Sequence, residues 1–132
     1  MIETWVIPIN LKYFDIYEHL QKTNEIAIKR LRNPIEGDIV YVYIASPESE
    51  IRFKGKVIKE KCNEDDLKKH TYITNMINYK EYNYFLIRID KEYPKGLFQY
   101  KDLRSNDIGQ VQALARASRK LKEYIELKEK EL

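Results

Sequence analysis

An α+β domain, its strands mostly antiparallel and partly closed into a barrel with helices alongside, is what this sequence predicts. Three observations lead there. Ile39 to Ala45 is apolar at every position, the mark of a central strand buried on both faces. Ile51 to Val57 alternates strictly, so it reads as a strand with one wet face, joined to the first as a hairpin. Leu114, Ala117, Leu121 and Ile125 fall on one helical stripe near the end of the chain. Strands followed by a closing helix suit an α+β layout, and partial closure removes exposed sheet edges.

The remaining elements follow in order. Thr4 to Ile7 predicts a short buried strand closed by Pro8, with a turn over Asn10 to Lys12. Tyr13, Ile16, Tyr17 and Leu20 have the spacing of one helix face, and that helix should stop near Thr23-Asn24. Pro34 to Asp38 is a turn and Ser46 to Glu50 a loop. Glu64 to Tyr79 reads as partly helical, with Asp65 as a candidate cap. Tyr84 to Ile89 is a strand. Leu97 to Leu103 is one helical turn, followed by a break at Ser105-Asn106-Asp107 and by Gly109. The charged tail from Glu126 is expected to fray.

At 132 residues with no linker or repeat, residues 1–132 form one domain. No apolar run approaches the roughly 18 residues that span a bilayer, so no membrane partner is expected. Met1-Ile2-Glu3-Thr4-Trp5 lacks the layout of a signal peptide, and the one cysteine, Cys62, has no internal partner. A cytoplasmic location is the expectation. The net charge of +3 is too small to announce a polyanion partner. Cations do cluster at Lys29-Arg30 with Arg32, over Arg52, Lys54, Lys56, Lys59 and Lys61, and over Arg116, Arg119, Lys120 and Lys122. Each cluster reads as solvated surface or as a phosphate contact.

Catalytic and metal chemistry find little support. His19, His70 and Cys62 have no ligand spacing, so no metal is expected. Cys62 and His70 could form a nucleophile pair, but no oxyanion-hole motif accompanies Cys62. Gly37, Gly55, Gly96 and Gly109 are too scattered for a phosphate-cradling loop, so no cofactor is expected. Asp65-Asp66 gives no reason for a raised pKa. The chain is therefore expected to bind and not to catalyse.

A few residues look odd for pure scaffolding. Asn10 follows Pro8 just beyond the strand of Trp5, where a carboxamide either caps a turn or bonds a base edge. Ser46-Pro47 ends the strand that carries Tyr41 and Tyr43. Gly109-Gln110-Val111-Gln112 leads to Arg116, so Gln112 and Arg116 could face a phosphate or a base.

Taken together, Trp5-Val6-Ile7-Pro8-Ile9-Asn10, Glu36-Gly37-Asp38-Ile39-Val40-Tyr41-Val42-Tyr43, Ser46-Pro47 with the following arm to Val57, and Gly109-Gln110-Val111-Gln112 with Arg116 and Leu121 resemble EVE domains. The motifs occur in the family's order over most of the chain, least over Asn63 to Tyr82. The resemblance implies a PUA-like pseudobarrel, similar to YTH and ASCH domains. It implies a nucleic-acid partner, DNA more than RNA, and a pocket for a single modified base. Many EVE relatives sit beside a nuclease or other effector, and YTH domains hold a methylated RNA base in an aromatic cage. Trp5, Asn10, Tyr41, Tyr43 and Ser46 are then the expected pocket. Lys29, Arg52, Lys54, Gln112 and Arg116 are the expected backbone contacts.

Such a reader offsets a few kcal/mol of unstacking with about 1–3 kcal/mol of stacking on a ring. Ile28, before Lys29, stands where EVE relatives often have Trp. Either Tyr13 or Tyr79 supplies the ring, or this chain takes another ligand. An ASCH-like RNA binder or RNA-processing domain is the alternative. A protein-interaction module docked through the C-terminal helix is a third reading.

Overall fold

The computed structural model describes residues 2–29, 32–68, 83–106, 108, 109, 111 and 114–132. In chain order these build β1 (Thr4–Ile9), α1 (Ile16–His19), β2 (Glu25–Lys29), β3 (Ile39–Ile44), β4 (Glu50–Lys59), α2 (Glu64–Lys68), β5 (Tyr84–Glu92), α3 (Tyr100–Arg104), β6 (Ala115–Arg116) and α4 (Arg119–Glu129). The six strands form one curled, half-barrel sheet in the order β2-β5-β4-β3-β1-β6. β1 and β3 run parallel, and the other pairings are antiparallel. The expected α+β pseudobarrel is the fold observed.

The alternation of side chains along each strand sorts the core into two faces. On the inner face Trp5, Ile7 and Ile9 of β1 meet Val40, Val42 and Ile44 of β3, with Ile26, Phe53, Val57, Phe85 and Ile87 completing the set. Ile16 of α1 plugs this face. On the outer face Val6, Tyr41, Tyr43 and Ile51 are covered by Phe98, Leu103, Leu121 and Ile125 from α3, α4 and the loop before α3. A smaller outer cluster of Ala27, Cys62, Leu67, Tyr84 and Leu86 lies under α2.

The register is broken at three places, between Val42 and Tyr43, Lys54 and Gly55, and Val57 and Lys59, and the first two set where the side chains near the site point. Val42 pairs with Phe53 and Tyr43 with Ile51, so Arg52 is an extra residue on β4. Ile51 therefore faces the outer cluster while Phe53 faces the inner one. Lys54 pairs with Lys91 and Gly55 with Ile89, which makes Asp90 extra on β5.

Several expectations need correcting. β1 continues through Pro8 to Ile9, because Pro8 follows the parallel register opposite Tyr43. α1 is one turn only, from Ile16 to His19, capped by Asp15. β2 is a strand that no local pattern in the sequence announces. It pairs with β5 from Glu25↔Arg88 to Lys29↔Tyr84. β4 is mostly buried, with no continuous wet face. At α2 the cap is Asn63, not Asp65: Asp66 N–H donates to Asn63 Oδ1 at 2.8 Å and Asn63 N–H to Asp66 Oδ2 at 2.8 Å. The part of that segment beyond residue 68, with His70 and Tyr79, lies outside the described residues. Leu114 and Ala117 precede the last helix, which Ser118 caps through its hydroxyl. That helix holds to Glu129, because Glu129 accepts from the Tyr93 hydroxyl and pairs with Lys54 at 3.6 Å.

Candidate functional site

The expected pocket residues divide between two faces and two ends of the barrel. Trp5 faces inward, while Tyr41 and Tyr43 face outward under α4. In the parallel register Trp5 stands beside Val40 and Val6 beside Tyr41, so one strand places these rings on opposite sides. Asn10 lies one residue beyond β1 and five steps from Trp5, about 16 Å at about 3.3 Å per residue. The five residues do not line one cavity, and apolar side chains, Phe53 and Phe85 among them, fill the inner face between the two ends.

The Trp5 end is closed. Asp38, 1% exposed, accepts from the Trp5 indole N–H at 2.9 Å, from Ile35 N–H at 2.9 Å and from Glu3 N–H at 3.0 Å. Three donors on one buried carboxylate fix the turn before β3 to the start of β1. The Arg116 guanidinium, on β6, covers the Trp5 ring at 5.4 Å from its centroid. No face of this indole is left for a base.

The opposite end is open. Ala45 N–H donates to Ile9 C=O at 2.9 Å, bringing the ends of β1 and β3 together. Exposed Asn10, Lys12, Tyr13, Ser46 and Pro47 stand on this rim. Asn10 Oδ1 accepts from Lys12 N–H at 2.9 Å, so the turn-capping reading of Asn10 holds in this structure. Tyr13 is 74% exposed, with Lys12 Nζ 5.8 Å from its ring centroid. Ile28 packs against the inner core instead of facing the rim.

Behind the rim lies a polar cluster built on the bulge. Arg52 is 8% exposed. Its Nε donates to Tyr93 C=O at 3.0 Å, Nη1 to the Tyr17 hydroxyl at 3.2 Å and Nη2 to Glu92 Oε2 at 3.0 Å. The Tyr17 hydroxyl in turn donates to Glu48 Oε2 at 2.6 Å. Burial, then the bond to Glu48, raises the Tyr17 pKa well above its ordinary value. The cluster ties α1 to the β3–β4 hairpin, and its Arg52 is not a free cation for a phosphate. Without the bulge, period-two alternation gives no hint of this. Tyr17 was legible as part of a helix face, but its half-buried bond to Glu48 had no sequence signal.

The other expected backbone contacts are dispersed. Lys29 is exposed at the end of β2. Lys54 sits on the outer face with its Nζ 5.9 Å from the Tyr41 ring centroid and paired to Glu129. Gln112 lies outside the described residues. Burial raises the pKa values of Tyr41 and Tyr93 beside this pair. Cys62 is 3% exposed, and burial pushes its thiol up to about 12, the wrong direction for a nucleophile. His19 Nε2 lies 2.8 Å from Glu25 C=O, with its ring edge-on to Phe14 at 5.2 Å. Among the described residues no three His, Cys, Asp or Glu side chains converge to hold a metal ion, and no helix is long and apolar enough to cross a membrane.

No protein-family model matches the sequence, and comparison with curated proteins gives no match. Solved structures do match in shape. A hypothetical protein from Leishmania major superposes with a TM-score of 0.69 at 15% identity, over 99% of this chain and 97% of that one. The ASCH protein from Zymomonas mobilis gives 0.61 at 9% identity, over 95% and 94%. Human THYN1, solved in complex with DNA containing 5-methylcytosine, gives 0.57 at 11% identity, over 96% and 98%. At such identities the likeness is one of fold, and the fold of this chain is a PUA-like pseudobarrel.

Proposed function

We propose that this chain is a nucleic-acid-binding domain of the EVE kind that reads a modified base, in DNA more than in RNA. The observation that carries the reading is the end-to-end likeness in fold to human THYN1, whose structure holds 5-methylcytosine DNA. The geometry supports a site at the open rim and not inside the barrel. There Tyr13 offers a ring face, Asn10 and Ser46 offer polar groups, and Lys12 stands ready for a phosphate. A flipped base stacked on an exposed ring gains about 1–3 kcal/mol, comparable to its unstacking cost. Recognition without chemistry leaves the output to a separate nuclease or effector protein.

The test is a titration of labelled oligonucleotides, with 5-methylcytosine and without, at two salt concentrations. Preference for the modified strand that survives the higher salt supports base reading. Equal affinities that both collapse with salt leave phosphate contact alone. The fold shared with the Zymomonas mobilis ASCH protein favours a second reading, an RNA-binding or RNA-processing domain. It requires RNA preference, or slow cleavage lost in Lys54→Ala or Arg116→Ala. RNA left intact after long incubation counts against processing.

A further inference from the structure

The antiparallel register of β4 and β5 sets Lys54 directly opposite Lys91 and Lys56 directly opposite Arg88. Directly opposed residues share a face of the sheet, and like charges there oppose strand pairing. Phe53 and Val57 point inward, so Lys54 and Lys56 point outward, and their partners with them. Tyr93, two residues beyond Lys91, belongs to the outer cluster as well. Four cations thus stand in a two-by-two block on the outer face, between the cluster covered by α4 and the cluster covered by α2.

Carboxylates border the block. Glu129 on α4 takes Lys54 at 3.6 Å, and the bulged Asp90 takes Arg88 at 2.7 Å. Glu25 on β2 stands opposite Arg88 in register. Lys56 and Lys91 are exposed and hold no salt bridge within the described structure; Lys91 Nζ lies 5.5 Å from the Tyr93 ring centroid. Lys54 and Lys56 are two strand residues apart, about 7 Å, a step comparable to that between successive phosphates of an extended strand. In each pair one cation keeps a carboxylate, Lys54 with Glu129 and Arg88 with Asp90, and the other, Lys91 or Lys56, holds none among the described residues.

We propose that this outer block of β4 and β5, centred on Lys56 and Lys91, is a track for a nucleic-acid phosphate backbone, separate from the rim. The inference rests on the nucleic-acid reading above and adds the surface that grips the strand. Phosphates bridging Lys56 and Lys91 relieve the cross-strand repulsion, so binding and sheet stability reinforce each other. Arg88 and Lys54, each tied to a carboxylate, orient the edges of the track.

The experiment compares the wild-type chain with Lys56→Gln/Lys91→Gln, using a labelled unmodified DNA oligonucleotide, single-stranded and as duplex, over a series of salt concentrations. Loss of two phosphate contacts lowers the slope of log affinity against log salt by about 2. The thermal midpoint of the double variant should be unchanged or higher, since removing two like-charge pairs cannot unfold the sheet. Wild-type binding with the same slope in the double variant overturns the track and leaves the base-reading proposal intact. No binding of either strand by the wild-type chain overturns both.

Discussion

The two ends of the pseudobarrel are built on the same parallel pair, β1 and β3, yet they are finished in opposite ways. At the start of the pair the polar groups are consumed: Asp38 takes the Trp5 indole and two backbone N–H groups, and Arg116 caps the ring. At the far end the polar groups are exposed on the rim, with Asn10 spending one oxygen on Lys12 N–H, and the Arg52 cluster beneath them reaches water, with the Glu92 side chain 60% exposed. A closed end carries stability, and an open end leaves surface for a ligand. The conspicuous aromatic of the sequence, Trp5, is therefore a fastener, and the exposed Tyr13 is the ring that can meet a base.

The largest expected effect is at the closed end. Asp38→Ala orphans three donors at once, two of them backbone groups, and should cost about 3 kcal/mol in urea unfolding. A loss below about 1 kcal/mol would mean that water replaces the carboxylate and that this end is not sealed. Gly55→Ala comes next. An added Cβ would lie 2.3 Å from the Arg88 carbonyl oxygen, so β4 and β5 must part. The expected cost is about 2–3 kcal/mol, and it should lower nucleic-acid affinity through the outer block as well as stability.

What the sequence made legible follows from pattern length. Ile39 to Ile44, with no polar residue, and Tyr84 onward are long enough to read as strands from composition alone. Glu25 to Lys29 has only three apolar residues, Ile26, Ala27 and Ile28, and its place beside β5 depends on a partner about sixty positions away. The parallel pairing of β1 with β3 has no local signature either. Bulges are invisible to period-two reasoning, which is why Arg52 looked like a wet cation and proved to be a buried one. Asn10, in contrast, was legible as a turn residue from its neighbours, and its side chain does bond Lys12 N–H. The site was harder to read than the fold because it depends on which end of a strand and which face a residue occupies. Both are fixed by register.

The alkaline limb of stability sharpens the picture of what is sealed. Burial holds the Cys62 thiol at about 12 against an ordinary 9.0, and it raises Tyr41 and Tyr93 as well. These groups stay protonated in the folded chain while the unfolded chain releases protons first. Their contribution is thus complete below about pH 9 and is lost as pH rises from there toward 12. Unfolding free energy should fall by about 2–3 kcal/mol between pH 8 and pH 11 from Cys62 alone and further from the two tyrosines, and Cys62→Ala should flatten part of that slope. A flat profile in the wild type would place these side chains in water. At the open end, Arg52→Gln should cost about 1–2 kcal/mol, less than Asp38→Ala. Glu92 and Tyr17 can turn to solvent, so the main residual penalty is the Tyr93 carbonyl.

The smallest structural effect should come from Asn10→Ala, and that makes it the most informative about binding. Its side chain closes one exposed turn through a single bond to Lys12 N–H, worth about 0.5–1 kcal/mol. If Asn10 only shapes that turn, affinity for a 5-methylcytosine oligonucleotide should fall equally for modified and unmodified strands. If its amide also meets a base edge, the preference between the strands should shrink while the salt slope stays unchanged. Tyr13→Ala provides the companion measurement, since an exposed ring removed from the surface should leave stability within about 0.5 kcal/mol. A base reader with an intact fold would then lose affinity for both strands, more for the one it prefers. A chain that binds through phosphates alone would register neither change, and the open rim would be an ordinary surface turn.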